Sequence, residues 1–326
     1  MSDAALLEVD GLTVDYLTSE GAIRAVSDVS LRVGPGEFLG IVGESGCGKS
    51  TLLFAIAQLL TPPAAITAGS VDFKGHDMVT LSGRALRELR WRDFSVVMQS
   101  AMNALNPVLT IEAQFADVMR AHGMGDRVAI RKRSEEVLEL VGIDPVHLDS
   151  YPHQLSGGMR QRSMIAMAMV FTPDLVIMDE PTSALDVVAQ RSLMVQVKEL
   201  QRQFGFAIVF VTHDMSLVSH FSDRLIVMYA GQVAEAGPTR RVFDEPLHPY
   251  SQGLLEAFPS VRGPRRELLG IAGSPPDLAK LPPGCAFQPR CGQSMPACST
   301  VEPELYQHEE TAVRCLRHKP AEVAHV

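Results

Sequence analysis

A glycine-rich segment near the amino terminus has the residue types and spacing that hold phosphate groups. It follows a short apolar run, Phe38–Val42, and reads Gly43-Glu44-Ser45-Gly46-Cys47-Gly48-Lys49-Ser50-Thr51. The glycines let backbone N–H groups curl around phosphates, and the following helix presents its positive end to them. We expect Lys49 to reach the β- and γ-phosphates and the Ser50 hydroxyl to bind Mg²⁺. The segment, called the P-loop below, therefore predicts a site for a nucleoside triphosphate.

Two carboxylates end an apolar run later in the chain, which reads Leu175-Val176-Ile177-Met178-Asp179-Glu180. Asp179 would hold Mg²⁺ through water, and Glu180 would polarise an attacking water as general base. Because adjacent side chains on a strand point to opposite faces, both roles require Glu180 to lie just past the strand's end. Pro181 favours such a break. The pair predicts hydrolysis of the bound triphosphate.

A third segment, Leu155-Ser156-Gly157-Gly158-Met159, lies between these two motifs. Ser156 is a good N-cap residue, and the two glycines allow close approach of the backbone to a ligand. A helix from about Gly158 to Val170 would aim its positive end at an anion. Such caps are common, so the segment gains its meaning from its place between the other motifs.

The hydrophobic pattern predicts strands that alternate with helices, and therefore an α/β sheet with helices inserted in mid-chain. The predicted strands are Phe38–Val42, Phe94–Met98, Leu175–Met178, Phe206–Thr212 and Arg224–Tyr229. The predicted helices are Lys49–Leu60, Ile111–His122, Val128–Val141 and Val187–Phe204. Beyond Arg241, about 80 residues rich in proline and turn dipeptides predict a small, loop-rich appendage.

Composition limits the classes of function. The chain has 326 residues, of which 46% are apolar, and a formal net charge of −9. The negative charge argues against a nucleic-acid partner, since such partners require a positive surface. No run approaches the roughly 18 apolar residues that cross a bilayer. The amino terminus lacks the pattern of a signal peptide, so a cytoplasmic location is expected.

The order and spacing of the motifs over residues 6–240 resemble the ABC transporter ATPase family. The resemblance implies a P-loop NTPase fold with a RecA-like core, an antiparallel β subdomain and a helical subdomain at about residues 100–164. It implies an ATPase domain over residues 1–242 that binds ATP and Mg²⁺. Ser156, Gly157 and Gly158 would then form the signature loop, which binds the nucleotide held by a second subunit. The family's commonest signature ends in Gln, whereas this chain has Met159 there.

The same resemblance implies roles for four further positions. Tyr16 is placed where an aromatic ring stacks on adenine. Gln99 is similar to the Q-loop glutamine that senses Mg²⁺. Ser183-Ala184-Leu185-Asp186 is similar to the D-loop, which crosses the dimer interface. His213 is similar to the switch histidine that contacts the γ-phosphate.

The residues after 242 resemble the extension of peptide-permease ATPases. The matching segments are Pro246-Leu247-His248-Pro249-Tyr250, Gly273-Ser274-Pro275-Pro276-Asp277-Leu278, Leu281-Pro282-Pro283-Gly284-Cys285-Ala286-Phe287 and Pro289-Arg290-Cys291. The resemblance implies a 243–326 extension and a peripheral subunit on the cytoplasmic side of the membrane. Its partners would be a second ATPase subunit (identical or paralogous), two transmembrane permease subunits and an extracytoplasmic solute-binding protein. Import of nickel or another small solute stays an alternative, and a soluble ABC ATPase acting on nucleic acid or ribosomes is a more distant one.

The chain has five cysteines, of which four fall in this extension: Cys285, Cys291, Cys298 and Cys315. The five, six and sixteen residues between them match neither paired zinc knuckles nor common ferredoxin spacings. Spacing therefore leaves an iron–sulfur cluster, zinc and free thiols open. Resemblance to peptide-permease subunits that carry a [4Fe–4S] cluster here implies the cluster, with Zn²⁺ as the alternative. Cys47, in the P-loop, is interpreted as a small filler residue.

Overall fold

The computed structural model describes residues 5–99, 104–183, 185–257 and 270–320. Its contacts divide the chain into two compact units that alternate along the sequence. The P-loop unit comprises Leu7–Arg32, Leu39–Val79 and the chain from Val211 onward. The helical unit consists mainly of Val33–Phe38 and Thr80–Phe210.

The elements are numbered in chain order over the residues that the structure describes. The strands are β1 (Leu7–Thr18), β2 (Gly21–Val33), β3 (Phe38–Val42), β4 (Ala64–Phe73), β5 (His76–Asp77), β6 (Phe94–Val97), β7 (Leu175–Asp179), β8 (Ala207–Thr212), β9 (Arg224–Tyr229), β10 (Gln232–Pro238), β11 (Tyr306–His308) and β12 (Thr311–Val313). The helices are α1 (Lys49–Ile56), α2 (Gly83–Leu89), α3 (Ile111–Ala121), α4 (Arg127–Leu140), α5 (Gly157–Ala168), α6 (Val187–Phe204), α7 (Met215–Phe221), α8 (Thr239–Asp244) and α9 (Pro249–Glu256). The described residues from 243 onward are called the C-terminal segment. Short 3₁₀ turns make up much of this segment after α9.

In the P-loop unit, one antiparallel sheet has the strand order β2-β1-β4-β5. A second, mixed set of strands has the order β11-β12-β10-β9-β3. Strand β3 runs parallel to β9, and Ile41 lies opposite Ile226. Strand β12 comes from the C-terminal segment and pairs antiparallel with β10, with Val313 opposite Glu235. The C-terminal segment therefore contributes strands to the same sheet that carries the P-loop.

In the helical unit, the strands follow the order β8-β7-β6, and β6 runs parallel to β7. All five residues of β7 are buried, as expected for a parallel strand covered on both faces. The helices begin at polar caps: Thr110 accepts a hydrogen bond from Ala113 N–H, and Asp126 accepts one from Val128 N–H. Arg131 of α4 pairs with Glu112, Glu135 and Asp149, and so holds the inserted helices together.

The α/β class and the mid-chain helices are confirmed, and β3, α6 and β9 have the predicted bounds. Helix α1 ends at Ile56 rather than Leu60, because Gln58 adopts a left-handed backbone conformation with φ 54°. Residues 100–103 of the predicted helical subdomain lie outside the described residues, and the predicted boundary at residue 242 stays a prediction. Over the described part of the chain, we find no helix with the length and apolar character needed to span a membrane.

Candidate functional site

The P-loop is a tight turn between β3 and α1 that depends on glycine. Gly43 and Gly48 have φ values of 152° and 101°. A Cβ atom at Gly43 would lie 2.3 Å from the Met228 carbonyl oxygen, and one at Gly48 would lie 2.3 Å from that of Ala25. Any side chain at either position would therefore displace backbone. The loop leads directly into a helix N-terminus, where N–H groups and the helix dipole favour an anion.

Lys49 closes this loop. Its side chain is 5% exposed, and Nζ donates hydrogen bonds to the carbonyl oxygens of Gly43 at 2.7 Å and Glu44 at 2.8 Å. Tyr16 lies beside the first turn of α1, since its hydroxyl is 3.3 Å from the Thr51 hydroxyl. The structure thus brings the aromatic ring predicted to stack on adenine next to the predicted phosphate-binding loop.

Cys47 points into the interior of the loop. The residue is 5% exposed, and burial raises the pKa of its thiol. A thiol whose pKa is raised remains protonated at neutral pH and is a poor nucleophile. The structure therefore agrees with its interpretation as a filler residue.

The two carboxylates differ in position, as their predicted roles require. Strand β7 ends at Asp179, which is 2% exposed, and Glu180 follows it with φ 43°. A left-handed conformation at a residue with a side chain costs on the order of 1 kcal/mol, and here it takes Glu180 out of the strand's alternation. The prediction that Glu180 lies just past the strand is confirmed.

Gln99 follows β6, the strand beside β7. Because parallel strands end at the same edge of a sheet, Gln99 and Glu180 meet there, and Gln99 Nε2 donates to Glu180 Oε2 at 2.9 Å. The amide orients the predicted general base through this hydrogen bond. The two residues are 81 positions apart in the chain, and their motifs alone do not predict the contact.

Ser156 caps α5 as predicted, because its hydroxyl accepts a hydrogen bond from Met159 N–H at 3.2 Å. Gly157 opens the helix, and an added Cβ at Gly158 would meet no atom within 4 Å. An open depression of about 360 Å³ adjoins this end of the helix; its lining includes Asp144, His147, Met159 and Arg162. The backbone at the signature loop is therefore accessible to a ligand.

Gln161, the glutamine that follows two residues after Met159, is buried. The side chain of Gln161 is 2% exposed and lies inside the helical unit. It therefore does not face the accessible end of α5. The predicted signature loop therefore has Met159 at its fifth position.

Two further predicted site residues lie next to the ends of regular elements. Asp186 caps α6 by accepting a hydrogen bond from Ala189 N–H at 2.8 Å. Ala184, in the middle of the predicted D-loop, lies outside the described residues. His213 is exposed and directly follows β8.

The four C-terminal cysteines are free thiols in this structure. Burial raises the pKa of Cys285, Cys291 and Cys315. Across the described residues, no three His, Cys, Asp or Glu side chains are grouped to hold a metal ion. The predicted [4Fe–4S] cluster and its Zn²⁺ alternative are therefore not supported. Iron and sulfide analysis after anaerobic purification would detect such a cluster.

Two residues of the C-terminal segment contact the P-loop, and the sequence motifs did not predict either contact. Arg290 forms a two-pronged ion pair with the Glu44 carboxylate. The Tyr250 hydroxyl accepts a hydrogen bond from Glu44 N–H at 2.9 Å. The acidic Glu44 in a phosphate-binding loop could have suggested that a cationic side chain lies nearby. The residues around Glu44 do not indicate which cation this is, because Arg290 lies 246 positions away in the chain.

Hydrogen bonds between Glu235 of β10 and the residues around His248 hold the same segment against that strand. Glu235 is 0% exposed and accepts hydrogen bonds from the N–H groups of Leu247 and His248. His248 Nδ1 accepts a hydrogen bond from Tyr250 N–H at 3.0 Å. Burial lowers the pKa of His248 to about 4, because the charged imidazolium would lose its solvation.

This histidine predicts a loss of stability in acid. The pKa of His248 is lower in the folded state than in the unfolded state, where it is about 6.5. The neutral histidine therefore costs the folded state nothing above about pH 6.5, and the free energy of unfolding decreases as the pH falls towards 4. Burial raises the pKa of Glu235, which acts in the opposite direction. We expect His248→Asn, which retains a capping side chain, to reduce the stability lost between pH 7 and pH 5 by about 2 kcal/mol. Urea unfolding at the two pH values measures this.

The control for this prediction is His76→Asn, which changes an exposed histidine of β5. It should retain the pH dependence of the unsubstituted chain. An equal pH dependence in the His248→Asn variant would contradict the argument.

Comparison with known proteins agrees with this geometry. Residues 26–183 match the ABC transporter family, and residues 234–298 match the family described as oligopeptide/dipeptide transporter, C-terminal region. The chain belongs to the ABC transporter family, as one of its ATPase subunits.

Among its relatives, a putative peptide import ATP-binding protein of Brucella melitensis is 42% identical over 99% of this chain and 98% of its own length. The dipeptide transport ATP-binding protein DppD of Bacillus subtilis is 43% identical over 98% of this chain and 97% of its own. Among solved structures, the dimeric ATP-binding cassette MJ0796 bound to ADP and Pi is 30% identical, with a TM-score of 0.65, over 72% of this chain and 99% of that one.

Proposed function

We propose that this chain is the ATP-binding and ATP-hydrolysing subunit of an importer for dipeptides or oligopeptides. The match of residues 234–298 to the oligopeptide/dipeptide transporter C-terminal region carries the proposal, because this segment lies outside the shared ATPase motifs. The relatives named for dipeptide and oligopeptide transport support it over nearly the whole chain. Import of nickel or another small solute is the alternative within the same family.

In the proposed site, the P-loop residues 43–51 hold the phosphates of ATP, and Tyr16 stacks on its adenine. Ser50, Asp179 and Gln99 offer hydroxyl, carboxylate and amide oxygens, the hard ligands that Mg²⁺ prefers, so the donor set fits this ion. When bound, Mg²⁺ neutralises charge that develops on the phosphates.

The other residues act on the water and on the neighbouring nucleotide. Glu180, oriented by Gln99, accepts the proton of the attacking water. His213 contacts the γ-phosphate. Ser156, Gly157 and Gly158 bind the γ-phosphate of ATP held by a second ATPase, and Asp186 contributes to the interface between the two.

The proposed assembly places this chain on the cytoplasmic side of the membrane. It pairs with a second ATPase, either identical or paralogous, and with two transmembrane permease subunits. An extracytoplasmic solute-binding protein delivers the solute, so the chain itself does not select it. The net charge of −9 disfavours the alternative of a soluble ABC ATPase acting on nucleic acid or ribosomes.

Isolation of the intact complex tests this proposal. We expect the tagged chain, extracted from its own membranes in mild detergent, to co-purify with two permeases and to hydrolyse ATP faster when a peptide-loaded binding protein is added. A Lys49→Ala complex serves as the control, since it should assemble without hydrolysing ATP. Stimulation by nickel in place of peptide would favour the alternative, and co-purification with ribosomes or DNA would contradict transport.

A further inference from the structure

Glu44 places a negative charge inside a loop that is built to receive a polyanion. It is the second residue of the P-loop, and its side chain is 25% exposed. A carboxylate this close to a bound triphosphate would repel it. Arg290 neutralises the negative charge of Glu44, because its Nη1 and Nη2 donate to the two carboxylate oxygens at 2.6 and 2.9 Å.

Arg290 is held rigidly for this contact. Its side chain is 6% exposed, and its Nε donates to the Ala272 carbonyl oxygen at 2.9 Å. The guanidinium also donates to the Tyr229 hydroxyl and lies 5.9 Å from the centre of that ring. The hydrogen bonds to Glu44 raise the pKa of Arg290 further above its usual range, so the guanidinium stays charged at any physiological pH. Planar, two-pronged pairing of this kind gives geometric specificity as well as charge neutralisation.

The backbone of the loop is held from the same side. Tyr250 is fully buried and packs against Tyr229 and Phe287, with ring centres 4.6 and 5.4 Å away. Its hydroxyl accepts the hydrogen bond from Glu44 N–H. Both the main chain and the side chain of Glu44 are therefore anchored by the C-terminal segment, immediately before the residues that would surround the phosphates.

We propose that Arg290 is a positioning residue of the ATP site: it neutralises Glu44 and, together with Tyr250, fixes the start of the P-loop, so the C-terminal segment sets the affinity for ATP. This inference rests on the proposed role of residues 43–51. Arg290 does not act on the reacting atoms. Arg290 stabilises bound ATP equally in the ground state and in the transition state. Its loss should therefore raise KM and leave kcat nearly unchanged.

Substitution of both partners distinguishes this role from general support of the fold. We expect Arg290→Gln to weaken ATP binding about tenfold, the cost of one lost charge-assisted contact, with kcat changed less than twofold. Glu44→Gln removes the repulsion instead, so the Glu44→Gln/Arg290→Gln double variant should bind ATP within about twofold of Glu44→Gln alone. Arg290→Lys retains the charge without the planar fork and should lie between Arg290→Gln and the unsubstituted chain. The measurements are equilibrium binding of a fluorescent ATP analogue, KM, kcat and Tm on the full-length chain.

The matched control is Arg314→Gln. Arg314 is also a partly buried arginine of the C-terminal segment, but it donates to the carbonyl oxygens of Val233 and Pro303, away from the P-loop. The Arg314→Gln variant should have a lower Tm than the unsubstituted chain and the same affinity for ATP. Unchanged affinity in Arg290→Gln would overturn the inference, as would equal weakening in Arg314→Gln or in the double variant.

Lys49→Ala separates this inference from the proposed function. If Lys49→Ala abolishes ATP binding while Arg290→Gln leaves it unchanged, the P-loop assignment stands and the positioning role fails. If Lys49→Ala binds ATP normally, the nucleotide lies elsewhere and both fail.

Discussion

Replacing Glu180 with glutamine should lower ATP turnover by at least about 100-fold while ATP still binds, since general-base catalysis typically contributes that much or more. The substitution preserves shape, and the glutamine oxygen can still accept the hydrogen bond from Gln99 Nε2. It removes only the basicity that takes the proton from water. ATP bound without hydrolysis should trap a closed dimer. Phosphate release, nucleotide binding and size-exclusion chromatography with MgATP measure the three effects.

The control for this prediction is Glu199→Gln, which removes the same charge from an exposed position on α6 of the same unit. Its turnover should equal that of the unsubstituted chain. Undiminished turnover in Glu180→Gln would contradict the general-base role. Loss of ATP binding in the same variant would indicate a structural role instead.

Replacing Ser156 with aspartate should reduce turnover on the order of 100-fold, comparable to the loss of one transition-state contact. Aspartate caps a helix as well as serine does, so α5 should remain intact. Its carboxylate would stand where the γ-phosphate of the second subunit's ATP is expected, and like charges repel. ATP binding by the isolated subunit should persist, because its own P-loop is unchanged. Single-chain binding assays and steady-state turnover of the assembled complex test the two parts.

Two controls accompany the Ser156→Asp variant. Ser156→Asn retains the cap without adding charge and should lose much less activity than Ser156→Asp. Thr110→Asp adds the same charge at the cap of α3, away from the signature loop, and should leave turnover unchanged. Equal activities in Ser156→Asp and Ser156→Asn would show that no phosphate approaches this residue.

The elements with strong local signals could be predicted closely from the sequence. Strand β3 is a continuous apolar run, and α6 begins at the Asp186 cap and ends at Gly205, which has φ 75°. The end of α1 was missed because Gln58 carries no local signal for its left-handed backbone. Where one residue ends a helix in this way, packing elsewhere in the fold sets its backbone conformation. The hydrophobic periodicity of the sequence carries no information about that packing.

The parts of the site that depend on neighbours in the chain could be predicted from the residues alone. The P-loop glycines, the Ser156 cap and the break after Asp179 all follow from backbone sterics and hydrogen bonds within a few residues. The contacts between distant groups, Gln99 with Glu180 and Arg290 with Glu44, became visible only in the folded chain. Among the described residues no side chains are grouped to hold a metal ion, although the clustering of four cysteines in the chain suggested a shared one. The reason is physical, since contacts between remote residues depend on how buried surfaces and charges pack together, and spacing along the chain does not specify that packing.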